Sequence, residues 1–190
     1  MDNYSSISGG SFYLEDNESF IMTDSYITNS TAYLDGGVFY ITDQYKHSNI
    51  YDEENGEQYV YKLINITADN ISKMFPYDGS GMFICMKKYA AVYINNFHGK
   101  NYNCGKKVSC SVLALANDSL LLVDDFILKD TNSYSKDGFI IYIYEYLHED
   151  NMYDIVSHSG PKCAIRSMTL TNINMLSDLV SYLFFMEDKG

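Results

Sequence analysis

The chain has no tryptophan, only 2 prolines and a single arginine, Arg166, among its 190 residues. Scarce proline leaves few forced breaks in extended backbone, and 19 tyrosines and 10 phenylalanines beside many Ile and Val favour pleated, half-buried surfaces over helices. Base is scarce too: 13 Lys and Arg against 25 Asp and Glu leave a formal charge of -12. Such a field repels phosphate backbones and anionic lipid, which removes the usual electrostatic basis for nucleic-acid binding. No apolar run reaches the roughly 18 residues of a membrane span, and the longest near the end, residues 179–186, reads as a buried strand. The opening Met1-Asp2-Asn3-Tyr4-Ser5-Ser6 has neither the basic start nor the apolar stretch of a secretory signal. Cys85, Cys104, Cys110 and Cys163 form no Cys-x-x-Cys pair, which argues against zinc. Neither a metal nor a cofactor is expected.

What is present is repetition. A hydrophobic content of 46% can fill one core, so residues 1–190 read as a single domain or as a segment of a longer array. Gly-led blocks recur as GGSFYL at Gly9, GGVFYI at Gly36, GSGMFICM at Gly79 and GFIIYIYEY at Gly138, with CSVLALA at Cys110 in the same rhythm. Each block is followed by a weaker unit of two short apolar strokes split by polar residues, as in SFIMTDSYITNSTAYLD from Ser19 and YVYKLINITADNIS from Tyr59. Within the strokes apolar and small polar residues alternate, the period of a strand. The pattern predicts three brief strands per turn of a stack, with interior ladders of Ile, Val, Phe and Asn about 4.8 Å apart. Gly9, Gly10, Gly36, Gly37, Gly79, Gly81 and Gly138 would mark the corners, where glycine permits angles closed to other residues.

Gly-Gly-x-Phe-Tyr-[Leu/Ile], followed by Ile27-Thr28-Asn29-Ser30-Thr31-Ala32, resembles the repeat of right-handed parallel β-helix proteins. That set includes pectin-lyase-like folds, polymorphic outer-membrane-protein-type repeats and large ciliate surface proteins. The resemblance covers most of the chain when insertions are allowed at residues 44–57, 99–109 and 148–162. It implies an all-β, right-handed parallel β-helix of about five to six irregular coils.

The fold that the resemblance implies also hosts polysaccharide enzymes. The hydrolases of this fold present an Asp-Asp pair, a Gly-His-Gly and an Arg-x-Lys in order; here His98-Gly99 precedes Asp124-Asp125 and no Arg-x-Lys follows. Hydrolysis needs two carboxyl groups across one bond, whereas adjacent Asp124 and Asp125 on a strand are expected to point to opposite faces. The related lyases use a basic residue, commonly arginine, beside acidic calcium ligands; Arg166 has no acidic cluster next to it in sequence and is expected to be solvated. Residues 52–57, Asp-Glu-Glu-Asn-Gly-Glu, lack the ligand spacing of an EF-hand loop and read as a solvated insertion. No catalytic or metal-binding residue is therefore assigned. Cys104 and Cys110 could close a short loop as a disulfide, with buried reduced thiols the alternative for Cys85 and Cys110.

Sequons stand at Asn3, Asn17, Asn29, Asn65, Asn70 and Asn117, more than this composition yields by chance. Asn29 and Asn65 sit at similar points of their repeats and read alternatively as corner residues whose side chains cap a turn. Sequons, an even cysteine count and the surface-protein resemblance together place the chain outside the cell or on its surface. The expected role is non-enzymatic: a structural or adhesive element that meets protein partners, or neighbouring β-helix segments stacked end to end, through its ends and Tyr-rich loops. Residues 49–51 and 142–146 would be contact surfaces. The alternative is carbohydrate binding or processing in a groove that uses aromatic rings with Asp124, Asp125 and Glu145. Solenoid ends expose unpaired strand edges unless capped, and neither end of this sequence reads as a cap.

Overall fold

The computed structural model describes residues 3–5, 10–17, 19–32, 35–44, 59–73, 81–105, 110–134, 138–144, 160–176 and 182–187. Every regular element among them is a strand: β1 (Asn3–Ser5), β2 (Phe12–Glu15), β3 (Phe20–Thr28), β4 (Ser30–Ala32), β5 (Phe39–Asp43), β6 (Tyr61–Asp69), β7 (Ser72–Lys73) and β8 (Ile84–Lys88). Then follow β9 (Ala91–Lys100), β10 (Asn103–Cys104), β11 (Leu113–Ala116), β12 (Leu120–Ser133), β13 (Gly138–Tyr144), β14 (Lys162–Ile165), β15 (Met168–Met175) and β16 (Tyr182–Glu187).

The chain is all-β, and every strand pairing is parallel. Parallel neighbours cannot be joined by a tight turn. Here the chain leaves one sheet, passes through the other and returns one strand further on. The six-stranded sheet runs β2-β5-β8-β11-β13-β16 in chain order, and the ten-stranded sheet advances alongside it through β3, β6, β9, β12 and then β14 with β15. Phe12 is in register with Phe39, Phe39 with Ile84, and Ile84 with Leu113, so the molecule is a pile of layers with like positions above one another.

A layer holds four straight runs, not the three expected, because its long strand is bent. In the first full layer these are β2 of the other sheet, the two halves of β3, and β4. The bends have a common cause. Asp24, Asn65, Asn96 and Asp125 form one column and Asn29, Asn70, Asn101, Asp130 and Asn172 a second, all with φ between 49° and 59°. Asn and Asp tolerate this left-handed region better than other side-chain-bearing residues. Their side chains also bond along the column: Asn65 Nδ2 donates to Asp24 Oδ1 at 2.7 Å, Asn96 Nδ2 to Asn65 Oδ1 at 2.9 Å and Asn172 Nδ2 to Asp130 Oδ1 at 2.8 Å. The backbone N–H groups of Asn29, Asn70 and Asn101 each donate to a carbonyl of the next layer at 3.2 Å.

This arrangement corrects several expectations. The asparagine ladders lie at the outer corners and not in the interior, and Asn29 and Asn65 belong to different columns. Gly99 and Lys100 lie within β9 and not in an insertion; Gly99 is buried with Leu128 and Phe97 packed over it. Glycine governs a different corner, the entry to the six-stranded sheet. There Gly36 and Gly81 take φ of 66° and 75°, and a Cβ on Gly37 would run into the Met82 carbonyl oxygen. Gly10 and Gly138 occupy the same entry before β2 and at the start of β13, while Gly9 and Gly79 lie outside the described residues.

The interior is apolar and laddered. Phe12 stacks on Phe39 with ring centroids 4.8 Å apart and Phe97 on Phe126 at 5.0 Å, the spacing of neighbouring strands. Phe39, Phe83, Phe97 and Phe126 are wholly buried, each contributing about 1.5–3 kcal/mol on removal from water. Replacing Asn65 by Ala forces a side chain poorly suited to φ 54° and deletes two column bonds. The expected loss is about 1–2 kcal/mol in urea unfolding. Asn65→Gly, which keeps the φ, should lose less; equal losses would show that the left-handed bend contributes nothing.

Candidate functional site

Burial is complete in the middle layers and incomplete at both ends. Among the described residues the exposed large hydrophobic side chains are Tyr13, Ile21 and Tyr26 of the first full layer, and Leu176, Tyr182, Leu183, Phe184 and Met186 at the far end. The run expected to be a buried strand is thus the terminal strand β16, with Phe184 50% and Met186 73% exposed. At this end, among the described residues, β14 and β15 pair with β12 alone and β16 pairs with β13 alone. β16 stands one layer beyond β14 and β15, so the end face is stepped. Under the step opens a pocket of about 260 Å³, lined by Ile141 and Ile143 of β13, Cys163 and Ile165 of β14, Met168 of β15, and β16.

Beside this pocket, on the outer face, lies a polar cluster that only the layer register assembles. Asn95, Asp124 and Arg166 share one column, since Asn95 pairs with Asp124 and Arg166 follows Ile165, the partner of Val123. Tyr93 donates its hydroxyl to Asp124 Oδ2 at 2.8 Å, Asn95 Nδ2 donates to that hydroxyl at 3.0 Å, and Arg166 lies 3.4 Å from the carboxylate. Burial, and after it the bond to Asp124, raises the Tyr93 phenol pKa. Arg166 remains 68% exposed, so its attraction to Asp124 is largely screened. Arg166 is solvated as expected and has no acid beside it in sequence, yet the layer register brings Asp124 to it from the layer below.

Asp124 and Asp125 do not point to opposite faces. The left-handed bend at Asp125 interrupts strand alternation, so both turn outward between buried Val123 and Phe126. His98, in register with Thr67 and Ile127, lies on the run beyond that bend, away from the column of Asp124. Glu145 and residues 52–57 lie outside the described residues. Among those described, no group of three or more His, Cys, Asp or Glu could hold a metal.

The outer face of the six-stranded sheet carries a second cluster. Tyr13 stacks on Tyr40 at 5.2 Å, Tyr142 stacks on Tyr144 at 4.9 Å, and Lys87 lies 2.8 Å from Asp35 and 5.4 Å from the centre of the Tyr40 ring. Burial opposes charge on Lys87, but Asp35 outweighs it and holds the ammonium pKa above the usual lysine value. Between the tyrosine pairs the floor is made of small residues, Cys85 and Ala114, with Tyr144 Oη 3.8 Å from Cys85 Sγ. Burial pushes the Tyr40 phenol and the Cys85 thiol each up to about 12.

Cys104 and Cys110 are joined as a disulfide, Cα atoms 6.2 Å apart, leaving Cys85 buried and Cys163 half-buried as free thiols. Of the sequon asparagines, Asn65 and Asn70 use their Nδ2 groups in the corner columns. Asn29 accepts there from Asn70, and Asn17 donates its Nδ2 to the Glu15 carbonyl at 3.2 Å. Asn117 follows β11 in a turn, and Asn3 belongs to β1. Asn29 and Asn65 are corner residues, as the alternative reading had it; the columns that continue them were not read, although an Asx-x-x-x-x-Asx spacing at Asp24, Asn65, Asn96 and Asp125 announces them. No family model, no curated protein and no solved structure matches the chain.

The raised thiol and phenol values fix a pH dependence. The unfolded groups ionise near their ordinary values of 9.0 and 10.0, whereas the folded ones hold their protons to about 12. Their contribution is therefore whole below pH 9 and is lost as pH climbs toward 12. Urea midpoints should fall from about pH 9 to about pH 11, and the fall should be shallower in Cys85→Ala. Identical slopes would remove Cys85 as a contributor.

Proposed function

We propose that the chain is a non-enzymatic structural or adhesive element of a cell-surface or extracellular assembly. In this reading it is a right-handed parallel β-helix of five to six coils that engages protein partners by its ends and loops. The layered, wholly parallel order supports the helix, and the strong preference of crossover connections for a right hand supports its handedness. The observation that carries the role is that, among the described residues, the exposed large hydrophobic side chains belong to the first full layer and to the far end, as contact surfaces require.

Three further features agree. The disulfide and the sequons favour an oxidising compartment. The outward carboxylate of Asp124 is engaged by Tyr93 and Arg166 and has no second catalytic carboxylate opposite it among the described residues. The tyrosines of the outer sheet stack face to face, so a sugar would find edges more than open ring faces.

Open apolar ends make a direct test. The protein should enhance the fluorescence of an anilinonaphthalene sulfonate dye, and Phe184→Lys with Met186→Lys should reduce that signal several-fold without loss of the far-ultraviolet strand spectrum. Dye fluorescence at the level of buffer, from a chain that is folded, would end the contact-surface reading.

A further inference from the structure

We propose that Asn65 is an N-glycan attachment site, whose sugar takes the place of the one amide hydrogen that the corner column does not use. The inference rests on the reading of the chain as extracellular, and it names one sequon that the fold is built to carry.

The column orients the amide. Asp24, Asn65 and Asn96 stand one above another in β3, β6 and β9. A carboxylate only accepts, so Asp24 selects the nitrogen side of its neighbour: Asn65 Nδ2 donates to Asp24 Oδ1 at 2.7 Å. The Asn65 Oδ1 thereby faces the opposite layer, where it accepts from Asn96 Nδ2 at 2.9 Å. In a planar amide the C=O bond and the N–H bond trans to it are antiparallel. The hydrogen given to Asp24 is therefore the trans one. The second hydrogen lies opposite the Cβ–Cγ bond and points straight away from the main chain, at a residue exposed to solvent.

That outward position is the one a glycosyl carbon can occupy at no cost to the column. Transfer from a lipid-linked oligosaccharide diphosphate breaks the outward N–H and the bond from sugar C1 to phosphate oxygen. It forms the C1–N bond and releases the lipid diphosphate and a proton, with no change of oxidation state. The trans N–H remains, so the bond to Asp24 survives, and Oδ1 still accepts from Asn96. β6 is paired on one side with β3 and on the other with β9, which closes its backbone to an enzyme. Transfer therefore precedes folding, and the glycan is carried into the column.

The surroundings suit a bulky, solvated group. Asp24, Asn96 and Asp125 lie outside any sequon, so no second glycan stands in this column. Asn29 and Asn70, by contrast, are successive members of the other column, joined from Asn70 Nδ2 to Asn29 Oδ1. Two glycans there would compete for room one strand spacing apart, about 4.8 Å. Thr67, whose hydroxyl completes the Asn65 sequon, stands in register with Tyr26 and His98. A glycan on β6 covers the side of the pile and leaves its ends open for contact.

The full chain, secreted from glycosylating cells, should carry sugar at Asn65, read by mass spectrometry of its peptides after amidase release in heavy-oxygen water. Thr67→Ala, which leaves the column untouched, should remove that glycan alone. Its urea midpoint should match that of the glycosylated chain, and Asn65→Ala, which loses the column bonds, should fall below both. A folded, secreted chain bare at Asn65 would overturn the proposal. So would a glycan at Asn65 that lowers the midpoint as far as Asn65→Ala does. Sugar at other sequons with Asn65 bare would sink this inference alone and leave the extracellular reading standing, whereas protein from its natural source without sugar at any sequon would sink both.

Discussion

Everything in this fold depends on residues that accept a left-handed bend and bond to their own counterparts one layer away. Asn65 illustrates both halves: at φ 54° it turns the strand, and its amide joins Asp24 on one side and Asn96 on the other. Without the bend, Leu63 and Ile66, three residues apart, would point to opposite faces of a flat strand and could not both border one closed interior. Without the side-chain bonds, each corner would lose its polar link to its neighbours. Backbone N–H donors at Asn29, Asn70 and Asn101 add a repeated interlayer bond at the second corner. The hydrophobic ladders follow from this geometry, since the same bend in β3, β6, β9 and β12 places Phe97 over Phe126 and Leu63 beside Ile94.

Much of this was legible from residues, and the exceptions have physical causes. Alternation in Leu63-Ile64-Asn65-Ile66 gave strands, and the Gly-led blocks gave the repeat. What alternation could not give was the two-residue outward step at each left-handed bend, because period two presumes an unbroken pleat. That omission misassigned Asp124 and Asp125 to opposite faces. The polar cluster beside the end pocket was hidden for another reason: Tyr93, Asp124 and Arg166 are far apart along the chain, and only the register between layers joins them. Glycine attracted attention as the obvious corner residue, while a commoner pair, Asn and Asp, turned the other two.

The ends and the middle obey different rules. A middle layer is covered on both sides, so Phe39 or Ile94 loses all contact with water; an end layer keeps one side open, and similar residue types, Phe184 and Met186, remain half-exposed or more. Their exposure follows from position in the pile and not from a separate motif. For this reason composition and spacing alone could not locate the site. The electrostatic asymmetry is equally local: residues 10–32 carry acids and no Lys or Arg, whereas residues 160–176 carry base and no acid.

The passages between the two sheets differ from the Asx corners in the length of chain they admit. Between β8 and β9 the connection is as short as Tyr89-Ala90, yet the corresponding stretch between β5 and β6 spans residues 44–60, and β6 still meets β9 in unbroken register. The two Asx corners, by contrast, keep constant spacing from layer to layer. Such a division of labour gives the molecule seams between its two sheets where the connecting chain can lengthen, while the Asx corners that set the framework keep their spacing.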